Sequence, residues 1–244
     1  MSEEIKKTVE ETLDDLFADS KTAIDQIIEL PSRGVGYPEG MGKVTLRGMT
    51  FEDEKIISES TPDQNIINLL LSRCVSNLDP DLLYSADKLF LLYKLRELSY
   101  GTHVKVKGSC KECQEENHLD IDLSLLPVTK APDDFSAFKI VQLPDLGKEL
   151  KIRIPRSSDS EYLANKSRVL DNLWRFIEKL DKYTDPKVIS QAIKRLTSKD
   201  TRFIVEALFV EDFGIETGAK FICSRCRHEN TIEVPISESF FTVS

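Results

Sequence analysis

The chain has 244 residues, 40% hydrophobic and 31% charged, with a net charge of −9. That length supports a real core in one large or two modest domains, and the acidic balance counts against nucleic acid as the main partner, because phosphate binding wants a basic surface. A charged N-terminus reads as no secretory leader, and no apolar run approaches the roughly 18 residues of a transmembrane helix, so the expectation is a cytosolic chain with reduced thiols and no stable membrane insertion.

Residues 1–29 are predicted to form an acidic amphipathic helical arm. Ile5, Val9, Thr12, Leu13, Leu16 and Phe17 follow helical spacing, and so do Ala23, Ile24, Ile27 and Ile28. Asp19-Ser20 offers a break or cap. Such a stripe suits a helix packed on its own domain or an arm docked on a neighbouring subunit. Leu30 to Gly42 holds four glycines and two prolines and reads as a turn-rich loop. Lys43 to Arg47 alternates like a strand. Thr50 with Asp53 or Glu54 marks a near-capping box and a helix start.

Asp63 to Val75 reads as a helix with Ile66, Ile67, Leu70, Leu71 and Cys74 on one face; Cys74 is expected to be a buried thiol. Asp81 to Leu98 is the next helix, with Leu83, Ala86, Leu89, Phe90 and Tyr93 inward and Gly101 as its cap. Thr102–Lys107 and Asn117–Leu123 read as one hairpin, Phe138–Leu143 and Glu149–Ile154 as a second around Pro144-Asp-Leu-Gly147. Ser158 to Lys182 is predicted to be the longest helix, with Leu163, Leu170, Leu173, Trp174, Ile177 and Leu180 as its stripe. Asp185–Leu196 and Ser198–Val210 follow as helices, the latter capped by Ser198 or Asp200-Thr201. Phe240-Phe241 in the tail is expected to add an edge strand.

Four of the five cysteines fall into two pairs, Cys110-Lys-Glu-Cys113 and Cys223-Ser-Arg-Cys226. The flanks repeat too, as C-x-x-C-x-x-E-N-x-[LI]-[DE]-[IV]-x-[LI], at a constant offset of 113 residues. Two thiolates on a tight turn followed by an alternating strand make half a zinc ribbon, and two halves supply Zn²⁺ with four ligands at about 2.0–2.3 Å. Lys107, Lys111, Lys220, Arg225 and Arg227 would offset the charge of a Cys₄ centre. Other readings are a redox dithiol, disulfides, or two separate sites each borrowing His118 or His228. Redox pairs sit where a strand opens into a helix, and these do not; reduced thiols disfavour disulfides. Gln114 and Arg227 stand where such knuckles often place glycine for a left-handed turn.

One shared structural zinc on Cys110, Cys113, Cys223 and Cys226 therefore leads. The loop between Cys113 and Cys223 holds 109 residues. Closing it costs several kcal/mol, against on the order of 10 kcal/mol from structural zinc. The predicted fold class is α+β: helical segments plus β-hairpins, with a split zinc ribbon and a helical insertion between its two knuckles. The divisions are 1–29 arm, 30–156 α+β domain with the first knuckle, 157–211 helical insertion, and 212–244 second knuckle and terminal strand. No Walker loop, G-x-G-x-x-G, H-E-x-x-H or G-x-S-x-G occurs, so no enzyme and no catalytic residues are expected.

An ordered set of short motifs carries a resemblance. It comprises Leu30-Pro-Ser-Arg-Gly-x-x-Tyr37, Met49-Thr50, Ala86-Asp87 with Phe90-Leu-Leu, Leu95-Arg96, Leu98-Ser-Tyr-Gly101 running into the first knuckle, and Leu119 to Val128. Together these resemble the baseplate-hub and tail-assembly proteins of contractile-tailed phages, the group that includes the T-even baseplate hub subunit. The resemblance implies a non-enzymatic structural or assembly component of the virion tail baseplate, assembled in the host cytoplasm. Its partners would be other hub or tail proteins, in a homo- or hetero-oligomer. Arg33 is then a candidate contact residue, or simply a surface turn residue. The rival class is a zinc-ribbon adaptor of the transcription or RNA-processing machinery, against which the acidic balance counts.

Overall fold

A computed structural model of the chain describes Thr12, Leu16 and residues 25–59, 66–209, 212–234, 236 and 238–241. Thr12 and Leu16 are helical; the other residues predicted to make the arm's stripe, up to Ile24, lie outside the described residues. Ile27 and Ile28 correct the helical reading. They belong to strand β1 (Gln26–Glu29), antiparallel to β2 (Lys43–Leu46) with Ile28 opposite Val44. The loop between them folds the chain straight back, the Leu30 N–H donating to the Gly42 carbonyl at 2.9 Å. Once the strands meet, β-branched isoleucines suit the pleated ladder.

Helix α1 (Phe51–Glu59) begins where Thr50 donates from both N and Oγ1 to Asp53 Oδ2, at 2.9 and 3.0 Å, so Asp53, and not Glu54, closes the cap. Helix α2 (Ile66–Cys74) runs into β3 (Val75–Ser76), which pairs with β2. Helix α3 (Ser85–Tyr100) ends at Gly101, whose φ of 86° lets its N–H reach the Glu97 carbonyl. β4 (His103–Ser109) and β5 (Glu116–Asp122) form the first predicted hairpin. β6 (Val128–Thr129) follows, and β7 (Phe138–Gln142) pairs with β8 (Glu149–Arg153) as the second.

The predicted long helix over 158–182 is not formed. Helix α4 (Ser160–Leu163) stops short, and Asn165, extended at φ −157°, starts α5 (Lys166–Asn172) by accepting from the Arg168 N–H. After a tight turn, β9 (Ile177–Leu180) joins β8. Ile177 and Leu180 are both buried although three residues apart, a spacing that looks helical. The register steps from Lys151 opposite Lys179 to Ile152 opposite Ile177, leaving Glu178 as a bulge. The extra residue resets the alternation so that both side chains face inward.

Helices α6 (Pro186–Ile193) and α7 (Ser198–Phe209) agree with the sequence. The cap of α7 does not: Thr197 Oγ1 accepts from the Asp200 N–H, while Asp200 reaches the β7–β8 turn, accepting from Asp145 N at 2.8 Å and Leu146 N at 3.1 Å. β10 (Gly214–Ile215) pairs with β6, and β11 (Gly218–Ile222) with β12 (Glu229–Glu233). The tail corrects a further expectation. Glu238–Phe241 is a 3-10 turn, because Phe240 and Phe241 are both buried and consecutive strand residues would point to opposite faces.

Two main cores result. The first gathers Leu30, Leu46, Leu71, Leu91, Leu95 and Phe240. The second takes Leu150 and Ile152 from the β7–β8 hairpin and Leu173, Phe176, Ile189 and Ile204 from the segment after it. A small cluster of Tyr84, Ala131, Ile154 and Phe213 touches the first core through Tyr37. Among the described residues, no helix is long and apolar enough to cross a membrane.

Candidate metal centre

Each Cys-x-x-Cys is the turn of a hairpin. In the first, Cys110 N donates to the Glu115 carbonyl at 2.9 Å and Gln114 N to the Cys110 carbonyl at 3.0 Å. In the second, Cys223 N donates to His228 and Arg227 N to Cys223, at 2.9 and 3.1 Å. The two turns are copies, bond for bond. Gln114 and Arg227 sit at φ 60° and 63°, so both adopt the left-handed conformation that glycine usually supplies.

The hairpins pack face to face, and their sulfurs meet. Cys110 Sγ lies 3.6 Å from Cys226 Sγ, and Cys113 Sγ 3.6 Å from Cys223 Sγ. All four lie within 4.8 Å of one another. Sulfurs about 2.3 Å from a shared tetrahedral ion stand roughly 3.8 Å apart, so this set has the dimensions to hold one. A disulfide needs about 2.05 Å, and all five cysteines are free thiols. Cys110 and Cys223 are fully buried, Cys113 half-buried and Cys226 exposed.

The surroundings favour thiolate at the first cysteine of each knuckle. The Cys113 and Glu112 N–H groups and the Asn230 amide hold the Cys110 thiol below its ordinary value, overcoming burial. The Cys226 and Arg225 N–H groups bring Cys223 down to about 6. At Cys226 the His228 N–H pulls the same way, but burial and the three neighbouring sulfurs together push it up to about 12. Four sulfurs this close cannot all hold negative charge without a cation among them. Of the basic residues expected to offset that charge, Arg225 pairs with Glu115 and Lys107 with Glu116.

Sequence reasoning missed Asn117 and Asn230, the invariant N of the repeat. Both are buried, and each crosses to the opposite knuckle: Asn117 Oδ1 accepts from Ser224 N at 2.9 Å, and Asn230 Oδ1 from Lys111 N at 3.0 Å. The repeat printed these positions; their burial was the signal it could not print. Gly108 was missed as well. A Cβ there would meet Ile232 Cδ1 at 3.0 Å and the Phe221 ring at 3.4 Å, so its bare backbone lets the second hairpin close on the first.

A family profile described as T4 bacteriophage base plate protein matches residues 23–242. The chain belongs to that family. Comparisons with curated proteins and with solved structures give no match. The matched span contains both knuckles of this baseplate protein and every motif of the resemblance.

In the baseplate protein those motifs are structural. Asp87 is fully buried, accepting from Ser32 N at 2.9 Å and from the Tyr37 hydroxyl at 2.6 Å. The Tyr37 hydroxyl also accepts from Tyr84 N at 2.8 Å. Arg156 stacks on the Tyr84 ring at 3.6 Å and donates to the Gly36 and Leu82 carbonyls. Burial pushes both Asp87 and Tyr37 above their ordinary pKa values. Arg33 is tied within the chain, to Asp133 at 2.6 Å and the Pro132 carbonyl at 2.5 Å, which favours the turn-residue reading. His103 pairs with Asp120 and His118 with Glu116, away from the sulfurs. Cys74 stands apart, 1% exposed, and burial raises its thiol to about 11.

Proposed function

We propose that this baseplate-family protein is a structural or assembly component of the hub of a contractile tail, acting through contacts with other hub or tail proteins and held together by a Cys₄ zinc site. The profile match over residues 23–242 carries the baseplate part of the reading. The convergence of Cys110, Cys113, Cys223 and Cys226 supports the metal part. When bound, zinc would supply a closed coordination shell, with no position left for a substrate. Its work would be mechanical, fixing the C-terminal hairpin to the hairpin that follows α3. The donor set fits that ion: four sulfurs within 4.8 Å of one another, those of Cys110, Cys223 and Cys226 reached by N–H donors.

In this reading the chain is a split ribbon with an insertion. The parts are a domain from β1 to residue 156, the insertion 157–211 and the closing segment 212–244, with the arm expected over 1–29 ending before β1 and the β7–β8 hairpin packing against the insertion through Leu150 and Ile152. Mass spectrometry of purified virions tests the role. A stoichiometric presence supports a hub component, while presence in assembling tails and absence from virions reduces it to an assembly factor. Failure to co-purify with any tail protein overturns both. Metal analysis of the purified chain tests the zinc, with one equivalent per chain expected.

A further inference from the structure

Asn117 and Asn230 occupy the same place in the two halves of the repeat, seven residues after the first cysteine of each knuckle. Each is 5% exposed, and each amide is used on three sides. Asn117 Nδ2 donates to the Glu115 carbonyl of its own turn at 2.9 Å and points at Cys223 Sγ of the other knuckle at 3.8 Å, while its Oδ1 takes the Ser224 N–H. Asn230 Nδ2 donates to its own His228 carbonyl at 2.9 Å and to Cys110 Sγ across the centre at 3.5 Å, while its Oδ1 takes the Lys111 N–H.

An asparagine that only braced its own turn would need the first of these bonds and no other. The remaining two cross to the partner knuckle at both positions. From this we infer that Asn117 and Asn230 are reciprocal positioning residues of the cysteine centre: each is anchored in one knuckle and orients the first thiolate of the other. Neither hairpin then reaches its metal-ready shape alone. The side chain has to present a donor and an acceptor at one short, buried end. Aspartate keeps the shape but loses the donors, and turns a lone pair toward both the turn carbonyl and the thiolate. Glutamine is a methylene too long. Groups outside the ligand shell that hold ligands in this way commonly change metal affinity by about 10–100-fold when removed.

The inference rests on the zinc reading above, and its test separates the two. The full chain is loaded with zinc, and transfer to a chromophoric chelator is followed for wild type, Asn117→Asp and Asn230→Asp, with circular dichroism to confirm folding. Each variant is expected to lose about 10–100-fold in zinc affinity, by similar factors at the two positions. The wild-type chain loaded with NMR-active cadmium gives a second readout that needs no variant: scalar coupling from the metal to the side-chain amide protons of Asn117 and Asn230. Variants that hold zinc as tightly as wild type overturn the inference while leaving the metal site standing. So does cadmium-loaded protein with no coupling at either asparagine, which decides the matter if the aspartate variants do not fold. A wild-type chain that takes up neither metal removes the zinc reading and this one with it.

Discussion

The Tyr93 hydroxyl donates to the Val234 carbonyl at 2.6 Å, joining α3 to the strand end that leaves the second knuckle. Seven residues on, the Phe241 carbonyl accepts from Tyr100 at 2.7 Å, and the Phe240 ring packs 5.2 Å from that of Tyr93. The second hairpin thus meets the rest of the chain at both ends, its turn cysteines against Cys110 and Cys113 and aromatic residues beyond its base. Chelating the proposed zinc should loosen the turn first. Amide exchange should rise over 218–233 and stay slow within α3, and the melting temperature should fall. Tyr93→Phe should cost about 1–2 kcal/mol, because a buried carbonyl loses its partner. Exchange that rises in α3 as fast as in the knuckles would contradict this ordering.

Serine substitutions sort the cysteines. Cys110→Ser and Cys226→Ser come from different knuckles and face each other across the centre at 3.6 Å. Each should lower metal content well below one equivalent and release the opposite knuckle as well as its own. Cys74→Ser should keep full metal, since Cys74 sits in the first core. Elemental analysis with thiol counting reads all three; metal loss in the Cys74 variant would mean that the fifth cysteine takes part.

How much of this was readable beforehand follows the range of the interactions. The hairpins, the caps at Asp53 and Gly101 and the cysteine pairing are legible because their signals are local or repeated. Ile27-Ile28 and Ile177–Leu180 carry helical spacing, and their strand state depends on partners elsewhere in the chain, Val44 for Ile28 and Ile152 for Ile177. The roles of Asn117 and Asn230 lay hidden for the same reason. Repetition marked them as equivalent, but their partners are more than 100 residues away.

Asp53 sets a pH dependence. It is fully buried and accepts from Arg47 and Arg73, each at 2.6 Å. Burial raises its pKa, but the bonds from Arg47, Arg73 and Thr50 outweigh that and hold it well below the usual carboxylate range. A depressed folded pKa gives stability that is complete above the unfolded value of about 3.9 and is lost as pH falls toward the folded one. Denaturant titrations should therefore show a stability loss below about pH 4 that is shallower in Asp53→Asn. At pH 7 that variant should be weaker by roughly 2–3 kcal/mol, a buried-pair loss discounted because both arginines are partly exposed. Identical acid slopes in the two proteins would remove Asp53 as the cause.

The baseplate motif near the N-terminus separates into a brace and a bystander. Tyr37→Phe takes the hydroxyl donor from the buried Asp87 carboxylate and should cost about 1–3 kcal/mol. Arg33→Ala breaks a pair whose Asp133 side is 99% exposed, and should cost under about 1 kcal/mol. If Arg33→Ala leaves stability unchanged yet blocks incorporation into tails, Arg33 is a contact residue after all.

The bulge at Glu178 offers a deletion test. In a helix, removing one residue would rotate Leu180 by about 100° off the stripe shared with Leu173 and Ile177. In the observed strand, Glu178 is the unpaired residue between Ile177 and Lys179. Deleting it restores strict alternation, with Ile177 and Leu180 inward and Lys179 outward. The shortened chain should fold cooperatively and lose no more than about 1–2 kcal/mol, the range of an ordinary single substitution. A collapse of the second core, seen as loss of the near-ultraviolet signal of Trp174, would place Ile177–Leu180 back in a helix.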